Sequence, residues 1–219
     1  MVNLGVLVSG SGSNLQSIID SIEAGTLEAS VKVVITDNPE AYALERAKKH
    51  RIPSVVLHKK DYRTREEFDS AVVRELREHR VELVVLAGFM RIISPVMLEA
   101  FPMRIMNIHP SLLPAFPGLD VQRKALEHGV KFSGCTVHFV DGGLDSGPII
   151  IQAVVPVLDA DTPETLSKRI LAEEHRIYPH AIRLFSEGRL NILGRRVFVE
   201  KGPEASGTME NPKITVPRS

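Results

Sequence analysis

An asparagine and a histidine two positions apart, Asn107 and His109, are the residues of this chain best suited to acid–base chemistry. They end a short apolar stretch typical of a β-strand, and side chains two apart in a strand point to the same face. Pro110 favours extended backbone at His109 and ends the strand. An amide donor beside an imidazole can stabilise an oxyanion and move a proton, provided that a carboxylate orients the imidazole.

Asp145, in a glycine-rich turn further along the chain, could supply that carboxylate. An aspartate before Ser146 and Gly147 also fits a simple turn cap. An isolated Asn-x-His-Pro occurs in ordinary loops as well. Other segments of the chain are therefore needed to distinguish a catalytic role of these residues from a structural one.

A glycine-rich turn near the N-terminus has the pattern of an anion site. The segment 9–14, SGSGSN, lies between an apolar strand and an amphipathic helical pattern. Backbone N–H groups at the positive end of a helix dipole favour a phosphate. The turn lacks the third glycine of a dinucleotide fingerprint and the lysine of a Walker loop. A turn that needs small residues only for its own geometry is the alternative.

Apolar stretches alternate with amphipathic helical patterns, which predicts an α/β fold with a doubly wound, mostly parallel sheet. The expected strands are 3–9, 31–36, 54–57, 83–87 and 104–108, and the expected helices are 14–24, 41–50, 65–80, 94–100 and 120–128. A period of two then predicts antiparallel strands at 133–140 and 149–157. A long helix over 162–186, bent at Pro179, follows them.

No repeat or linker divides the chain, so we expect one domain over residues 1–202. Its phosphate-binding half would be 1–100 and its catalytic half 101–202, followed by a disordered polar tail at 203–219. Lys plus Arg equals Asp plus Glu at 27 each, which gives no attraction to nucleic acid or to a membrane. The N-terminus has no signal-peptide pattern, so we expect a cytoplasmic protein.

Other reactive side chains fit packing better than chemistry. Cys135 lies in an alternating strand with no second thiol, so we expect it in the core. His138 in the same strand is expected to be structural. His175 and His180 have a poor spacing for one metal, and we expect no metal site.

Four segments in the same order resemble the phosphoribosylglycinamide formyltransferases, the folate-dependent GAR transformylases of purine synthesis. The segments are 9–16, 86–95, 107–114 and 144–150, within a resemblance that runs from residue 1 to about residue 200. The resemblance implies a formyltransferase fold with a Rossmann-like N-terminal half. It also implies transfer of the formyl group of 10-formyltetrahydrofolate to the amine of glycinamide ribonucleotide (GAR), by direct attack and without a metal, in a monomer or weak homodimer.

The resemblance further implies a role for individual residues. Asn107 would donate to the oxyanion, His109 would stabilise it and supply a proton, and Asp145 would orient His109. The GAR site would comprise Gly12, Ser13, Asn14, Leu171, Ala172, Glu173 and Glu174. The folate site would comprise Arg65, Met90, Arg91, Ile92, Ile93, Asn107, Asp141, Gly142, Gly143, Leu144 and Asp145. Without the resemblance, the charged residues of helical segments would be ordinary surface residues.

Three other functions fit part of this pattern. Methionyl-tRNA formyltransferase and formyltetrahydrofolate hydrolase resemble the chain in the folate-binding block. The first carries an additional tRNA-binding domain and the second an additional N-terminal domain, and we expect neither here. A nucleotide-binding module without catalysis would explain the glycine turn, but not the joint presence of Asn107, His109 and Asp145.

Overall fold

The computed structural model describes residues 1–201, which form one nine-stranded mixed sheet packed against helices. In chain order its elements are β1 (Val2–Leu7), α1 (Ser13–Glu23), β2 (Ala29–Thr36), α2 (Ala43–Lys49), β3 (Ser54–Val56), α3 (Arg65–Glu78), β4 (Leu83–Leu86), α4 (Pro95–Ala100), β5 (Ile105–His109), α5 (Val121–Glu127), β6 (Phe132–Phe139), β7 (Ile149–Pro156), α6 (Pro163–Ser186), β8 (Leu190–Leu193) and β9 (Arg196–Val199). A short 3-10 turn at Lys59–Asp61 precedes α3.

The strand order is β3-β2-β1-β4-β5-β6-β7-β9-β8. Strands β3, β2, β1, β4 and β5 run parallel to one another, whereas β6 pairs antiparallel with both β5 and β7. The last two strands form a hairpin, of which β9 pairs parallel to β7. The prediction of a mostly parallel α/β sheet with antiparallel strands toward the C-terminus is therefore confirmed.

The central strands alternate between two apolar clusters, one on each face of the sheet. In β4, Leu83 and Val85 belong to the cluster that includes α1 and α6, while Val84 and Leu86 belong to the cluster that includes α3 and α4. All four side chains are buried. Both faces of this strand are covered, which explains its continuous apolar sequence.

The observed elements differ from the expected ones mainly at their ends. Strand β1 stops at Leu7 and not at residue 9, because Ser9 belongs to the turn that follows. Helix α6 contains Pro179 in its interior and continues to Ser186. The predicted disorder of 203–219 lies outside the described residues. No helix within residues 1–201 combines the length and the apolar character needed to cross a membrane.

Candidate active site

Three segments of the predicted site lie at the ends of neighbouring strands. The turn at 9–12 follows β1, the loop at 88–94 follows β4, and Asn107 and His109 lie in β5. These three strands are adjacent and parallel. Their carboxyl ends therefore lie along one edge of the sheet, which is where open α/β sheets bind ligands.

His109 is buried, and both of its ring nitrogens face acceptors. Its Nδ1 lies 3.4 Å from Oδ2 of Asp145, and its Nε2 lies 2.9 Å from the carbonyl oxygen of Phe116. A carbonyl oxygen and a carboxylate can only accept, so the protonated ring, which donates from both nitrogens, satisfies both contacts. The ring is thereby held between a carboxylate and a backbone carbonyl oxygen.

Asp145 joins two loops at this point. Its Oδ2 also accepts a hydrogen bond from the backbone N–H of Gly118 at 2.8 Å. Its backbone has φ +47°, a left-handed conformation that aspartate and asparagine adopt more readily than other residues with a side chain. The unusual backbone aims the carboxylate at His109, and Gly118 holds it there.

Asn107 is oriented by His138, its direct neighbour across the β5–β6 pair. His138 Nδ1 lies 2.8 Å from the carbonyl oxygen of Phe139 and must donate to it, so Nε2 is free to accept. Asn107 Nδ2 lies 3.2 Å from that Nε2 and donates to it. Burial lowers the pKa of His138, which keeps the ring neutral and able to accept. One amide hydrogen of Asn107 is thereby held, and the other is left for a ligand.

Thr136 holds the backbone that follows His109. It lies opposite His109 in the β5–β6 register, donates from Oγ1 to the carbonyl of Ser111 at 2.7 Å and accepts from the N–H of Leu113 at 3.1 Å. Gln152 of β7 donates to the same Oγ1 at 3.0 Å. Thr136 was not predicted as a site residue, and His138 was predicted to be structural, without a contact to Asn107. A known β5–β6 register would have identified both, because each faces a predicted catalytic residue.

The glycine-rich turn is shaped by backbone geometry. Gly12 has φ +69°, and a Cβ there would lie 2.8 Å from Cβ of Ala43 in α2. The turn is also held by Ala43, whose N–H donates to the Gly10 carbonyl, and by Arg46, whose Nε donates to the Ser11 carbonyl at 2.9 Å. Within residues 1–201, no side chain caps α1. The first N–H groups of the helix are therefore available to an anion.

Asn14 and Glu174 form a buried polar pair beside this turn. Asn14 Nδ2 donates to Oε2 of Glu174 at 2.7 Å, which joins α1 to α6. Burial raises the pKa of Glu174, and the hydrogen bond from Asn14 partly opposes that shift. Oδ1 of Asn14 is buried and has no partner among residues 1–201. Such an orphaned acceptor fits a hydroxyl or amine donor of a ligand.

The other residues of the predicted α6 segment lie differently. Glu173 pairs with Arg176, its Oε2 lying 2.9 Å from Arg176 Nε. Ala172 is exposed and Leu171 is half-buried. Within the described part of the chain, Glu174 is the residue of this segment that contacts Asn14.

The predicted folate loops present exposed apolar side chains. Met90, Ile92 and Leu144 are exposed, unlike the many apolar side chains that are buried in the core. Exposed apolar residues near a polar site offer contacts to a flat aromatic ligand. Ile93 is half-buried, and Gly142 and Gly143 are exposed.

Charged residues of these loops play different parts. The guanidinium of Arg91 lies 4.0 Å from the ring centre of Phe68. Arg65 begins α3 and is exposed, with its Nη2 3.6 Å from Oε1 of Glu66. Asp141 accepts at Oδ1 from the N–H of Gly143 at 3.0 Å and from Oγ of Ser146 at 2.6 Å, so it shapes the turn before Asp145.

Two further sequence predictions concern Cys135 and metal binding. Cys135 is buried in β6, as predicted, and burial raises the pKa of its thiol. Among residues 1–201, no three side chains of His, Cys, Asp or Glu are grouped so that they could hold a metal ion.

Known proteins share this arrangement of sequence and fold. The family model for formyl transferase matches residues 2–182. Phosphoribosylglycinamide formyltransferase of Escherichia coli K12 is 42% identical over 191 residues, which cover 87% of this chain and 90% of that protein. The crystal structure of glycinamide ribonucleotide transformylase 1 from Symbiobacterium toebii has a TM-score of 0.91 and 58% identity, and the match covers 92% of this chain and 95% of that one.

Longer relatives contain the same region. The trifunctional purine biosynthetic protein adenosine-3 of Chironomus tentans is 47% identical over 191 residues, and this chain spans 14% of that protein's length. Both kinds of relative match most of this chain, and the family model spans all four motifs. The resemblance stated from the sequence is confirmed, and the chain belongs to the formyl transferase family.

Proposed function

We propose that this chain transfers the formyl group of 10-formyltetrahydrofolate to the amine of GAR, giving formyl-GAR and tetrahydrofolate, in de novo purine (IMP) biosynthesis. One observation carries the proposal: Asn107, His109 and Asp145 lie at the same sheet edge as the uncapped N-terminus of α1. That edge combines an oxyanion donor, a cation and a phosphate-accepting turn. Relatives named for this activity match most of the chain.

The reaction needs no covalent enzyme intermediate. The amine nitrogen of GAR forms a bond to the formyl carbon, and the resulting tetrahedral centre carries an oxyanion. The bond from that carbon to N10 of the folate then breaks, the amine loses a proton, and N10 gains one. Asn107 donates its free amide hydrogen to the oxyanion, and the imidazolium of His109 stabilises the same charge. Asp145 orients His109 and completes the proton relay.

The contact between His109 and Phe116 sets a condition on proton transfer. With Nε2 donating to the Phe116 carbonyl and Nδ1 facing Asp145, the ring acts on the oxyanion through its charge. To give a proton to N10, Nε2 must first leave the Phe116 carbonyl. Electrostatic stabilisation therefore precedes acid catalysis in this mechanism.

The two substrates bind to different segments at this edge of the sheet. The phosphate of GAR sits on the N–H groups of Gly12, Ser13 and Asn14, and Glu174 accepts from a ribose hydroxyl. The rest of the GAR site is the neighbouring part of α6, residues 171–173. The folate lies across the loops 90–93 and 141–144, with a tail carboxylate meeting Arg65.

We also propose the setting in which this reaction takes place. The formyltransferase domain spans residues 1–202 and divides at residue 100 into a phosphate-binding and a catalytic half. It is cytoplasmic, a monomer or weak homodimer, and needs no metal. Its partners are the two small-molecule substrates, with no nucleic acid or membrane.

Release of tetrahydrofolate with and without GAR tests the proposal. We expect release only in the presence of GAR. Equal release in water alone would identify a hydrolase, and transfer to methionyl-tRNA would identify a tRNA formyltransferase. Asn107→Ala should lose most of the activity. Asn191→Ala, the same change at an exposed position of β8, should keep it.

A further inference from the structure

Ser9 connects two segments that we assign to different substrates. It opens the phosphate turn after β1, yet its N–H donates to the carbonyl of Gly88 at 3.1 Å. Its Oγ accepts from the N–H of Met90 at 3.2 Å. Both bonds end in the folate loop that follows β4. One residue of the phosphate turn is thus bonded twice to the folate loop.

Asp37 and Asn38, which follow β2, complete the bonding of Ser9. Ser9 Oγ donates to Oδ1 of Asp37 at 2.8 Å, and Asn38 Nδ2 donates to the Ser9 carbonyl at 3.1 Å. The amide, the carbonyl and both roles of the hydroxyl of Ser9 are therefore in use. Ser9 cannot shift without breaking at least one of four hydrogen bonds.

Asp37 extends the connection to a side chain of the folate loop. Its Oδ2 lies 4.0 Å from Nη1 of Arg91, and both side chains are mostly buried. The ring of Phe68 in α3 also packs against the Arg91 guanidinium. The position of Arg91 therefore depends on Asp37, and the Asp37 carboxylate depends on the Ser9 hydroxyl.

We propose that Ser9 and Asp37 couple the two substrate sites, so that a phosphate-bearing ligand on the turn raises the affinity of the loop for folate. This inference rests on the proposed function. An anion on the N–H groups of the turn restricts the backbone next to Ser9, and the Ser9 hydroxyl passes that restriction to Met90 directly and to Arg91 through Asp37. A folate that binds afterwards has less of the loop to order. The same factor must apply in the opposite direction, because coupling free energies are reciprocal.

Titration calorimetry with tetrahydrofolate and GAR measures this coupling directly. The pair cannot react, because tetrahydrofolate carries no formyl group. The coupling factor is the dissociation constant of tetrahydrofolate alone divided by its value at saturating GAR. We expect about 5 or more for the unaltered chain, at the lower end of typical coupling factors. We expect a smaller factor, closer to 1, for Ser9→Ala, which loses the two bonds of the hydroxyl and keeps the two of the backbone. Ser21→Ala is the matched control, because that hydroxyl donates only within α1, to the Ser17 carbonyl, and should keep the full factor.

Asp37→Asn is the second variant, and it tests the coupling even if Ser9→Ala does not fold. It keeps an acceptor for Ser9 and removes the charge that faces Arg91, so the factor should fall below that of the unaltered chain. A merely structural role would lower the melting temperature and leave the factor unchanged. A factor of 1 in the unaltered chain, or an unchanged factor in these variants, would overturn the coupling. Failure of the unaltered chain to bind either ligand would instead refute the proposed function.

Discussion

Replacing Asp145 by asparagine should slow formyl transfer mainly through His109. The change removes the negative charge and keeps an oxygen that can accept from the N–H of Gly118. Asparagine also tolerates the left-handed backbone at this position, where φ is +47°. Asp145→Asn therefore perturbs the charge while preserving the loop, which alanine would not do.

The size of the effect follows from the contact distance. A hydrogen bond to a charged group contributes about 1.5–3 kcal/mol, and the strongest such bonds are about 2.7–2.9 Å long. The pair Nδ1–Oδ2 is an ion pair 3.4 Å apart, longer than such a hydrogen bond, so its contribution lies at the lower end, about 1.5–2 kcal/mol. That corresponds to about a 10- to 30-fold loss of rate. His109→Ala should cost about 10²–10⁴.

A double-mutant cycle on the transfer rate at fixed pH separates the two residues. If Asp145 acts through His109, then adding Asp145→Asn to His109→Ala should change the rate by no more than about 2-fold. Multiplication of the two separate losses would mean that Asp145 acts on the substrate amine directly. The relay through His109 would then be wrong, even if both residues proved essential.

Three further outcomes follow from the structure. Glu174→Gln should weaken GAR binding and raise the melting temperature at pH 7, but not at pH 4. The folded state raises the pKa of Glu174, so the ionised carboxylate costs stability only at pH values above its ordinary pKa of 4.5. An equal gain in melting temperature at both pH values would contradict this. Gly12→Val should lower the melting temperature by straining the backbone and displacing Ala43, whereas Gly10→Ala should not, since a Cβ at Gly10 meets nothing within 4 Å. Activity should survive treatment with EDTA, because no step of the proposed mechanism uses a Lewis acid; loss that a divalent ion restores would refute that mechanism.

The parallel half of the fold was predictable because burial on both faces leaves a clear trace in the sequence. Strands such as β4 are short continuous apolar stretches, and helices with one apolar face separate them. The bounds of the final hairpin were not predicted. Leu193 of β8 is 72% exposed and Phe198 of β9 is 40% exposed, so these strands lack the pattern of a buried face.

The candidate site was predictable only in part, because some of its contacts depend on register and backbone geometry. Asn107 and His109 share a strand face, which a period of two reveals. The support from Thr136 and His138 requires the antiparallel register of β5 with β6, which no local pattern specifies. The contact of Asp145 with His109 requires a left-handed backbone that aspartate adopts only in particular tertiary surroundings. The catalytic roles of these residues stay predictions.

Because β5 lies at the centre of the sheet, the strand that carries Asn107 and His109 opens less often than the loops that bind the substrates. β5 is the fifth of nine strands and is hydrogen-bonded on both sides, to β4 and to β6. Amide hydrogens in such a strand exchange with solvent only when the whole sheet opens, whereas loops open in smaller fluctuations. The backbone of Asn107 and His109 thus keeps its position when the substrate loops open locally. Sequence changes in those loops can alter which acceptor is bound while the oxyanion donor and the histidine persist for as long as the domain stays folded.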